Sequence, residues 1–533
     1  MSKMKKVDKK MRELQNSEPV KKAKKGIFHF IFSRIAVVGF LLLLQMATMY
    51  ATFTFLSEYA TYITTALNVL RVVCIIYIIN RKSNPDFKIT WILLIFIAPV
   101  FGTIFYLFML VLPGTGMLKR RLSDLTVSTL PYMKQDQAVM DALRVSKAEN
   151  ANLAHYMSEH VHFPVHRNTS VKYFASGEEK FEEMKRQLEK AEKFIFLEYF
   201  IVERGEMWNS ILRILMKKVK QGVEVRFMYD GMCSMLQLPY HYDRAMRKHG
   251  IKCKMFSPIR PVLSSYQNNR DHRKICVIDG KVGFTGGVNL ADEYINVKER
   301  FGHWKDTAIM MEGEAVQNLT MMFLQMWNIS EKTPEKYARY LTPKSLDVKR
   351  ELGYVLPYGD SPYDGEIIGE QVYFHILDHA KKYVHIMTPY LILDHDMIST
   401  LTYAAKCGVE VIIIMPHIPD KWYAFVLAKT YYEELIKAGV QIYEYTPGFV
   451  HAKVFVSDND TATVGTINLD YRSLYHHFEC GAFIYNNPVV WDIERDFQAT
   501  LKKCQKISLM DVNARSLKEK SLGWLLRLIA PLM

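Results

Sequence analysis

Apolar residues are concentrated in long uncharged runs near the start of the chain. Residues 35–56 and 90–111 each extend for 22 positions without a charged side chain, long enough for a helix to cross a ~30 Å hydrocarbon layer. Residues 61–79 form a third apolar run, which one asparagine and one arginine interrupt, so it is a weaker spanning segment. The pattern predicts an N-terminal transmembrane anchor of two to three helices within residues 35–112.

Beyond residue 112, short apolar runs alternate with amphipathic stretches. FIFLEYFIV at residues 194–202 is typical of a buried strand, residues 207–220 have the apolar spacing of a helix, and GVEVRFMYDG at residues 222–231 is typical of a strand that ends at a glycine turn. The same order of strand, helix and strand recurs at residues 384–393, 397–405 and 408–416. This alternation is typical of parallel crossovers and predicts an α/β fold in two copies.

The chain therefore divides into five predicted segments. They are a basic cytoplasmic tail (1–34), the transmembrane anchor (35–112), a first α/β domain (113–345), a second α/β domain (346–512) and a C-terminal amphipathic segment (513–533). In the last segment Trp524, Leu525, Leu528 and Ile529 share one apolar face. Such a face is typical of an interfacial helix, although a helix packed on the protein has the same pattern.

The basic residues bear on membrane orientation. The net charge is +14, and residues 1–34 hold 11 basic and 3 acidic residues, which keeps the tail on the cytoplasmic side. Three spans would put everything after residue 111 outside, against the preference of Lys119, Arg120 and Arg121, whereas two spans would leave it in the cytoplasm. We favour three spans and an extracytoplasmic catalytic part in a multi-pass protein of the bacterial cell membrane.

Composition excludes several other classes of protein. With 49% hydrophobic and 23% charged residues the chain is not disordered. Its seven cysteines include no paired CxxC and no regular spacing, which excludes a disulfide framework and a zinc ribbon.

One sequence motif occurs twice at a constant offset. HRKICVIDGKVGFTGGVN begins at His272 and HAKVFVSDNDTATVGTIN begins at His451. Five residue types match, and each pair differs by 179 positions: His272 and His451, Lys274 and Lys453, Asp279 and Asp458, Gly286 and Gly465, Asn289 and Asn468. Matches at five specified positions in two windows would very rarely arise by chance, so the motif indicates an internal duplication.

The duplicated motif points to phosphate chemistry. Because side chains alternate along a strand, the first and third residues of His-x-Lys face the same side. If the two copies pack about a pseudo-twofold axis, two histidines and two lysines converge without acidic metal ligands. This set offers a nucleophile, a proton donor and a positive field for a phosphate group.

At these residues the chain resembles the phospholipase D superfamily, whose signature is H-x-K-x4-D followed by G-[SGT]-x-N, present twice. Within that superfamily it resembles bacterial cardiolipin synthases, in the apolar block at residues 80–108, in KFIFLEYFIV, GVEVRFMYDG and MTPYLILD, and in INLDYRS. The departures are Gly287 and Thr466, where the motif often has serine. The resemblance implies two phospholipase D-like α/β/α domains related by pseudo-twofold symmetry.

The resemblance also implies the reaction and the residues that perform it. The expected reaction is a reversible, metal-independent transfer of a phosphatidyl group between two phosphatidylglycerol molecules, giving cardiolipin and glycerol through a phosphohistidine. The expected catalytic residues are His272, Lys274, Asp279, His451, Lys453 and Asp458. His272 is the favoured nucleophile because family members often use the N-terminal motif, while the two aspartates are equally compatible with a structural role at the strand end. No cofactor and no metal are expected.

Four supporting residues complete the expected site. Asn289 and Asn468 would help the lysines hold the phosphate oxygens. In the family a downstream carboxylate orients each imidazole, and Glu479, 28 residues after His451, matches this role in the second copy. Asp306 is the expected counterpart for the first copy.

Other functions remain open at this stage. Water could replace the lipid alcohol, which would make the protein a phospholipase D-type hydrolase or a tethered nuclease, and phosphatidylethanolamine could serve as the second lipid. A non-catalytic lipid-binding scaffold is disfavoured because both motif copies are intact. The expected partners are phosphatidylglycerol and cardiolipin in a membrane, without nucleic acid, and a homo-oligomer is compatible with the sequence.

Overall fold

A computed structural model describes residues 59–111, 115–232, 237–239, 241–258, 268–333, 335–342 and 353–532, and the isolated positions Leu43, Met46, Ala47 and Tyr50. The basic tail, nearly all of the apolar run at 35–56 and the predicted boundaries at 112/113 and 345/346 lie outside these residues.

Three apolar helices open the described part of the chain: α1 (Ala60–Asn80), α2 (Pro85–Ile97) and α3 (Pro99–Val111). Among the described residues, α1 is the one helix long and apolar enough to cross a membrane. Asn84 caps the start of α2 by accepting a hydrogen bond from Asp86 N at 2.9 Å, and Pro85 occupies the first helical position, where its missing N–H is not needed.

The apolar run at 90–111 is not the single spanning helix that its length predicts. The helix breaks at Ala98, whose φ and ψ of −128° and 77° are not helical, and Pro99 starts a new helix. The Trp91 ring lies 5.7 Å from the Phe105 ring and 5.1 Å from the Tyr106 ring, whereas 15 residues of straight helix would separate residues 91 and 106 by ~22 Å. α2 and α3 therefore form a folded-back hairpin, in which each 13-residue helix is only ~20 Å long.

The remainder of the described chain contains two mixed β-sheets with flanking helices. The strands are β1 (Thr169–Phe174), β2 (Phe194–Tyr199), β3 (Glu224–Asp230), β4 (Lys252–Phe256), β5 (Lys274–Ile278), β6 (Val282–Gly286), β7 (His303–Lys305), β8 (Ala308–Gly313), β9 (Tyr354–Asp360), β10 (Tyr383–Met387), β11 (Glu410–Pro416), β12 (Gln441–Tyr445), β13 (Gly448–Val450), β14 (Val454–Ser457), β15 (Thr461–Gly465), β16 (Glu479–Tyr485) and β17 (Cys504–Ile507). The helices are α4 (Thr115–Thr129), α5 (Gln137–Ser146), α6 (Ala148–Glu159), α7 (Gly177–Lys190), α8 (Glu206–Lys220), α9 (Tyr242–Lys248), α10 (Val316–Asn328), α11 (Ile368–His379), α12 (His395–Lys406), α13 (Trp422–Lys437), α14 (Tyr471–Tyr475), α15 (Val489–Leu501), α16 (Leu509–Asn513) and α17 (Leu517–Ile529).

The two sheets repeat one topology, which confirms the predicted duplication. The first has the strand order β1-β8-β6-β5-β2-β3-β4, and the second has β9-β16-β15-β14-β10-β11-β12 with β17 added at the edge. β2 and β3 pair in parallel, as do β10 and β11, as the strand-helix-strand pattern predicts. In both sheets the strand that follows the His-x-Lys histidine is central.

The two copies meet through backbone pairing and through a shared core. β13 pairs in parallel with β7, and Asp271 pairs with Phe478 in an isolated parallel bridge. Helix α10 is buried along nearly its whole length, and its side chains belong to a hydrophobic cluster that includes strands of both sheets. The cleft between the copies is therefore held by rigid elements from both sides.

The C-terminal helix α17 combines the two alternatives that its sequence pattern left open. Gly523 is buried, and a side chain there would clash with Thr430 of α13 at 2.5 Å. Trp524 and Leu525 are each 63% exposed. α17 thus packs on α13 with one face and presents apolar side chains with another.

Candidate active site

The two motif histidines approach each other from the two copies. His272 lies two residues before β5 and His451 lies three residues before β14, each in a short segment outside the strands. Both residues are buried, with 7% and 8% of their surface exposed. The charge of the lysine two residues later in each copy lowers the pKa of the histidine, so each lysine lies close to its histidine.

Each histidine is held by a carboxylate of the other copy. Nδ1 of His272 lies 2.9 Å from both carboxylate oxygens of Glu479, and Nδ1 of His451 lies 2.7 Å from Oδ2 of Asp306. The expected pairing of Glu479 with His451 and of Asp306 with His272 is therefore wrong, although both acids belong to the site.

Backbone pairing between the copies explains why each histidine contacts the carboxylate of the other copy. The N–H of His272 donates to the carbonyl of Phe478 at 2.9 Å, and the N–H of His451 donates to the carbonyl of Lys305 at 2.7 Å. Phe478 and Lys305 each directly precede the orienting acid. Each histidine is thus placed beside the acid of the other copy by the same one-residue register.

This arrangement fixes the tautomer of both imidazoles. A carboxylate accepts, so Nδ1 of His272 and Nδ1 of His451 carry the proton and donate it to Glu479 and Asp306. The lone pair of each neutral ring is then on Nε2. Both rings can present a nucleophilic or basic nitrogen to the same substrate.

The histidines are neutral in the substrate-free protein. Burial, together with the positive charges of Lys274 and Lys453, lowers the pKa of His272 well below its usual value. Burial and Lys453 lower the pKa of His451 to about 4, although Asp306 acts in the opposite direction. A bound phosphate diester would counter the lysine charges and raise both pKa values.

The two lysines supply the positive charge of the site. Nζ of Lys274 donates to the carbonyl of His272 at 2.5 Å, and Nζ of Lys453 makes the equivalent bond to the carbonyl of His451. Burial lowers the pKa of Lys274 to about 8 and that of Lys453 to about 7. An anionic ligand would therefore stabilise the charged form of both lysines.

Asp279 and Asp458 lie away from the histidines. They follow strands β5 and β14 at positive φ, 54° and 53°, and five extended residues separate them from the motif lysines by ~16 Å. Asp279 accepts hydrogen bonds from the backbone N–H groups of Glu192, Lys193 and Phe194. Asp458 does the same for Lys381, Lys382 and Tyr383. The geometry gives these aspartates a role in fixing the start of β2 and β10.

The two asparagines are fastened next to the site. The side chain of Asn289 accepts from Ile201 N at 3.0 Å and donates to the Tyr294 hydroxyl at 2.8 Å. Nδ2 of Asn468 donates to Oγ of Ser473 at 3.0 Å, and its Oδ1 is buried without a hydrogen-bond partner among the described residues. Each amide nitrogen retains a second hydrogen that a substrate oxygen could accept.

The two departures from the family motif have different structural reasons. A side chain at Gly287 would meet Oδ1 of Asp306 at 2.0 Å, so only glycine leaves room for the acid. At the equivalent position, Oγ1 of Thr466 donates to Oε2 of Glu479. The longer glutamate thus has a second anchor.

His477 is the site residue that sequence reasoning missed. Its ring centre lies 5.5 Å from that of His272, and its Nδ1 is 3.6 Å from Glu479, beyond hydrogen-bond distance. It stands two residues before Glu479, just as Trp304, whose ring centre lies 5.3 Å from that of His451, stands two residues before Asp306. His272, His477 and Glu479 also form the one group of three potential metal-ligating side chains among the described residues.

Comparisons with known proteins agree over most of the chain. The family described as "Cardiolipin synthase, PLD-like domain" matches residues 184–327 and 373–501, and a family described as phospholipase D-nuclease N-terminal matches residues 69–109. A cardiolipin synthase of Halalkalibacterium halodurans is 33% identical over 94% of this chain and 100% of its own length. An uncharacterized protein of Streptococcus mutans is 51% identical over 86% of this chain and 99% of its own length.

A solved structure shares the fold. Phosphatidylserine synthase of Haemophilus influenzae superposes with a TM-score of 0.53 at 13% identity, covering 68% of this chain and 93% of its own. At this identity the likeness concerns the fold, two phospholipase D-like α/β units around one cleft.

Proposed function

The chain belongs to the cardiolipin synthase family of phospholipase D-like enzymes, and from that premise we propose that it condenses two molecules of phosphatidylglycerol to cardiolipin and glycerol. The enzyme is a phosphatidyltransferase of the phospholipase D type. The observation that carries the proposal is the paired set of histidine, carboxylate and lysine, assembled across the two copies.

In the first half-reaction, one histidine forms a covalent bond to phosphorus. We assign the attack to Nε2 of His272, whose Nδ1–H is held by Glu479. The bound phosphate diester raises the pKa of His451, which takes up a proton at Nε2 before the reaction. The bond between phosphorus and the glycerol oxygen then breaks, and Nε2–H of His451 transfers this proton to that oxygen. Asp306 stabilises the His451 imidazolium that acts as this acid.

The second half-reaction reverses these proton movements. Neutral His451 removes the proton from the terminal hydroxyl of a second phosphatidylglycerol, whose oxygen attacks phosphorus. The bond from phosphorus to His272 breaks, and cardiolipin leaves. Because glycerol can enter by the same route, the transfer is reversible.

The buried lysines provide electrostatic stabilisation. Negative charge grows on the non-bridging phosphate oxygens as phosphorus becomes five-coordinate, and Lys274 and Lys453 lie in a site that excludes most water. Charge stabilisation is strongest in such surroundings. Asn289 and Asn468 add N–H donors.

The activity is tested in a host that lacks cardiolipin. Expression of the full chain should produce cardiolipin, with release of glycerol and no requirement for a nucleotide, and His272→Ala and His451→Ala should abolish it. Phosphatidic acid without cardiolipin would mean that water is the acceptor. Cardiolipin formation only after addition of phosphatidylethanolamine would assign that lipid as the second substrate.

The protein is associated with the membrane, as its family and the apolar helix α1 indicate. We propose a cytoplasmic catalytic part, in contrast to the three-span arrangement. The hairpin α2–α3 is too short in each arm to cross the bilayer, so only the segment at 35–56 and α1 would span. Arg81, Lys82, Lys88 and Lys119 then all lie inside, without a violation of the charge rule.

The native cysteine Cys407 offers a direct test of this topology, because it is exposed on the second copy. A membrane-impermeant maleimide should label it in opened but not in intact cells, and Cys407→Ser should remove that labelling. Labelling of Cys407 in intact cells would place the catalytic part outside.

A further inference from the structure

The membrane-proximal hairpin is joined to the active site through one short stretch of the second copy. Asn84, which caps α2, and Asp86 and Phe87 of its first turn contact helix α14 and the residue that follows it. The same stretch then continues directly into His477 and Glu479 at the site.

The polar part of the contact is a half-buried hydrogen-bonded cluster. Nδ2 of Asn84 donates to the Tyr475 hydroxyl at 2.7 Å and to Oδ2 of Asp394 at 3.0 Å. The Tyr471 hydroxyl donates to Oδ2 of Asp86 at 2.5 Å. Asp394 in turn accepts from Met397 N and so caps helix α12. The start of α2 is thus tied to two helices of the second copy.

The apolar part of the contact is the ring of Phe87. It packs edge-on against Tyr471, Tyr475 and His476, with ring centres 5.9, 5.5 and 5.3 Å apart. Aromatic pairs of this geometry are stabilised by the attraction between the edge of one ring and the face of the other, as well as by burial. Phe87 therefore restrains α14 together with the polar cluster.

Only two residues, His477 and Phe478, separate the residue that contacts Phe87 from Glu479, whose carboxylate holds His272. His476 touches Phe87, the backbone of Phe478 bonds with Arg270 and His272 at 2.8 and 2.9 Å, and Glu479 holds Nδ1 of His272. A displacement of α14 would shift the strand that carries Glu479. No equivalent contact of the hairpin with Asp306 occurs among the described residues.

We propose that Asn84, Asp86 and Phe87 are positioning residues for the His272–Glu479 pair, so that the membrane hairpin organises the active site as well as tethering it. The inference rests on the proposed transfer chemistry. It implies that seating of the hairpin changes turnover, whereas a simple tether would change only the access of the enzyme to lipid.

The test compares two kinds of variant on the same helix of the full-length protein. Phe87→Ala and Asn84→Ala remove the contact with α14, whereas Phe96→Ala removes a side chain that is 72% exposed at the other end of α2. Turnover is measured with phosphatidylglycerol in vesicles, and with a monodisperse short-chain phosphodiester that carries a p-nitrophenyl leaving group. The second substrate needs no membrane and no lipid acceptor.

Phe87→Ala and Asn84→Ala should lower kcat about tenfold on both substrates, with KM and vesicle binding unchanged. Phe96→Ala should weaken vesicle binding or raise KM for vesicle lipid and leave the short-chain substrate unaffected. Phe87→Tyr, which keeps the ring, should retain most of the activity, and thermal unfolding of each variant identifies loss of the fold. Phe87→Ala and Asn84→Ala proteins that are folded and as active as the parent on the short-chain substrate would overturn the inference.

The two proposals fail in different ways. If the wild-type chain cleaves the p-nitrophenyl substrate but makes no cardiolipin, the proposed function fails while the positioning role is still measured. If cardiolipin forms normally and the Phe87 defect appears only with vesicles, the hairpin is a tether and the positioning role fails.

Discussion

The surroundings of His272 and His451 differ far more than the groups that hold them. Both imidazoles have a carboxylate on Nδ1 and a lysine two residues later. Around His451 lie the rings of Tyr294 and Trp304, with centres 5.4 and 5.3 Å away. At the equivalent positions in the second copy stand the smaller Ser473 and the polar His477. The rings beside His272 are those of His477 and Phe200, with centres 5.5 and 4.9 Å away.

The difference shows which features the chemistry constrains. A phosphohistidine route needs two imidazoles in a fixed tautomer and a positive field, and these are duplicated. The residues around each histidine need only fit the part of an asymmetric substrate that they contact, and these residues differ between the copies. Four experiments test whether the two half-sites also differ in role.

The largest effect is expected from the histidines themselves. His272→Ala removes the proposed nucleophile, and His451→Ala removes the acid, so each should lower cardiolipin synthesis by at least about 10⁴-fold. A p-nitrophenyl leaving group needs no acid, so it should restore the first half-reaction in His451→Ala and leave a phosphoryl adduct on His272. Rescue of His272→Ala instead would make His451 the nucleophile and His272 the acid.

The next largest effect is expected from the two carboxylates, each of which holds the histidine of the other copy. Glu479→Gln and Asp306→Asn keep the shape but remove the charge that fixes the tautomer and stabilises an imidazolium, so each should lower kcat by about 10²–10⁴-fold. Because Asp306 serves His451, Asp306→Asn should be rescued by the p-nitrophenyl substrate, and Glu479→Gln should not. Rescue of Glu479→Gln but not of Asp306→Asn would contradict the assignment of Asp306 to His451 and of Glu479 to His272.

The lysines should separate in their pH dependence. Lysine loses its charge as pH rises through its pKa, which lies at about 7 for Lys453 and about 8 for Lys274, whereas arginine stays charged. The ratio of kcat/KM of Lys453→Arg to that of the wild type should therefore rise above pH 7, by up to about tenfold per pH unit. The corresponding rise for Lys274→Arg should begin above pH 8. Parallel profiles for all three proteins would refute the assignment.

The smallest effect concerns the motif aspartates, and it is on stability. Asp279→Ala leaves three backbone N–H groups without their acceptor, which costs about 1–3 kcal/mol where they are buried. Asp458 is more exposed, so water can replace it and its substitution should cost less. Thermal unfolding in detergent should show a larger decrease of Tm for Asp279→Ala, with residual transfer activity in both variants. Loss of activity without loss of Tm would return these residues to the catalytic set.

Local pattern was sufficient to predict the repeated part of the molecule. The strand runs at 194–202 and 384–393 and the helix between 207 and 220 follow from periodicity, because each element buries its apolar face whichever neighbour covers it. The motif spacing likewise identified His272 and His451, and the family resemblance added Glu479 and Asp306, which the structure places at these histidines.

The interpretations that proved wrong depend on long-range contacts. Which acid meets which histidine is decided by the pairing of residue 271 with residue 478, a contact that no local window contains. The break of the run at 90–111 follows from Pro99 together with the packing of Trp91 on Tyr106, whereas hydropathy alone reads the segment as continuous. His477 was missed because a lone histidine near a strand has no local signature.

The exchange of carboxylates between the copies has an evolutionary consequence. One copy paired with an identical copy about the same twofold axis would place its histidine against the neighbour's acid at both crossings, as an isologous homodimer does. An ancestral gene with a single motif would therefore have encoded a complete enzyme only as a dimer. After duplication and fusion, neither half could decay alone, because the loss of an acid in one half disables the histidine inherited by the other.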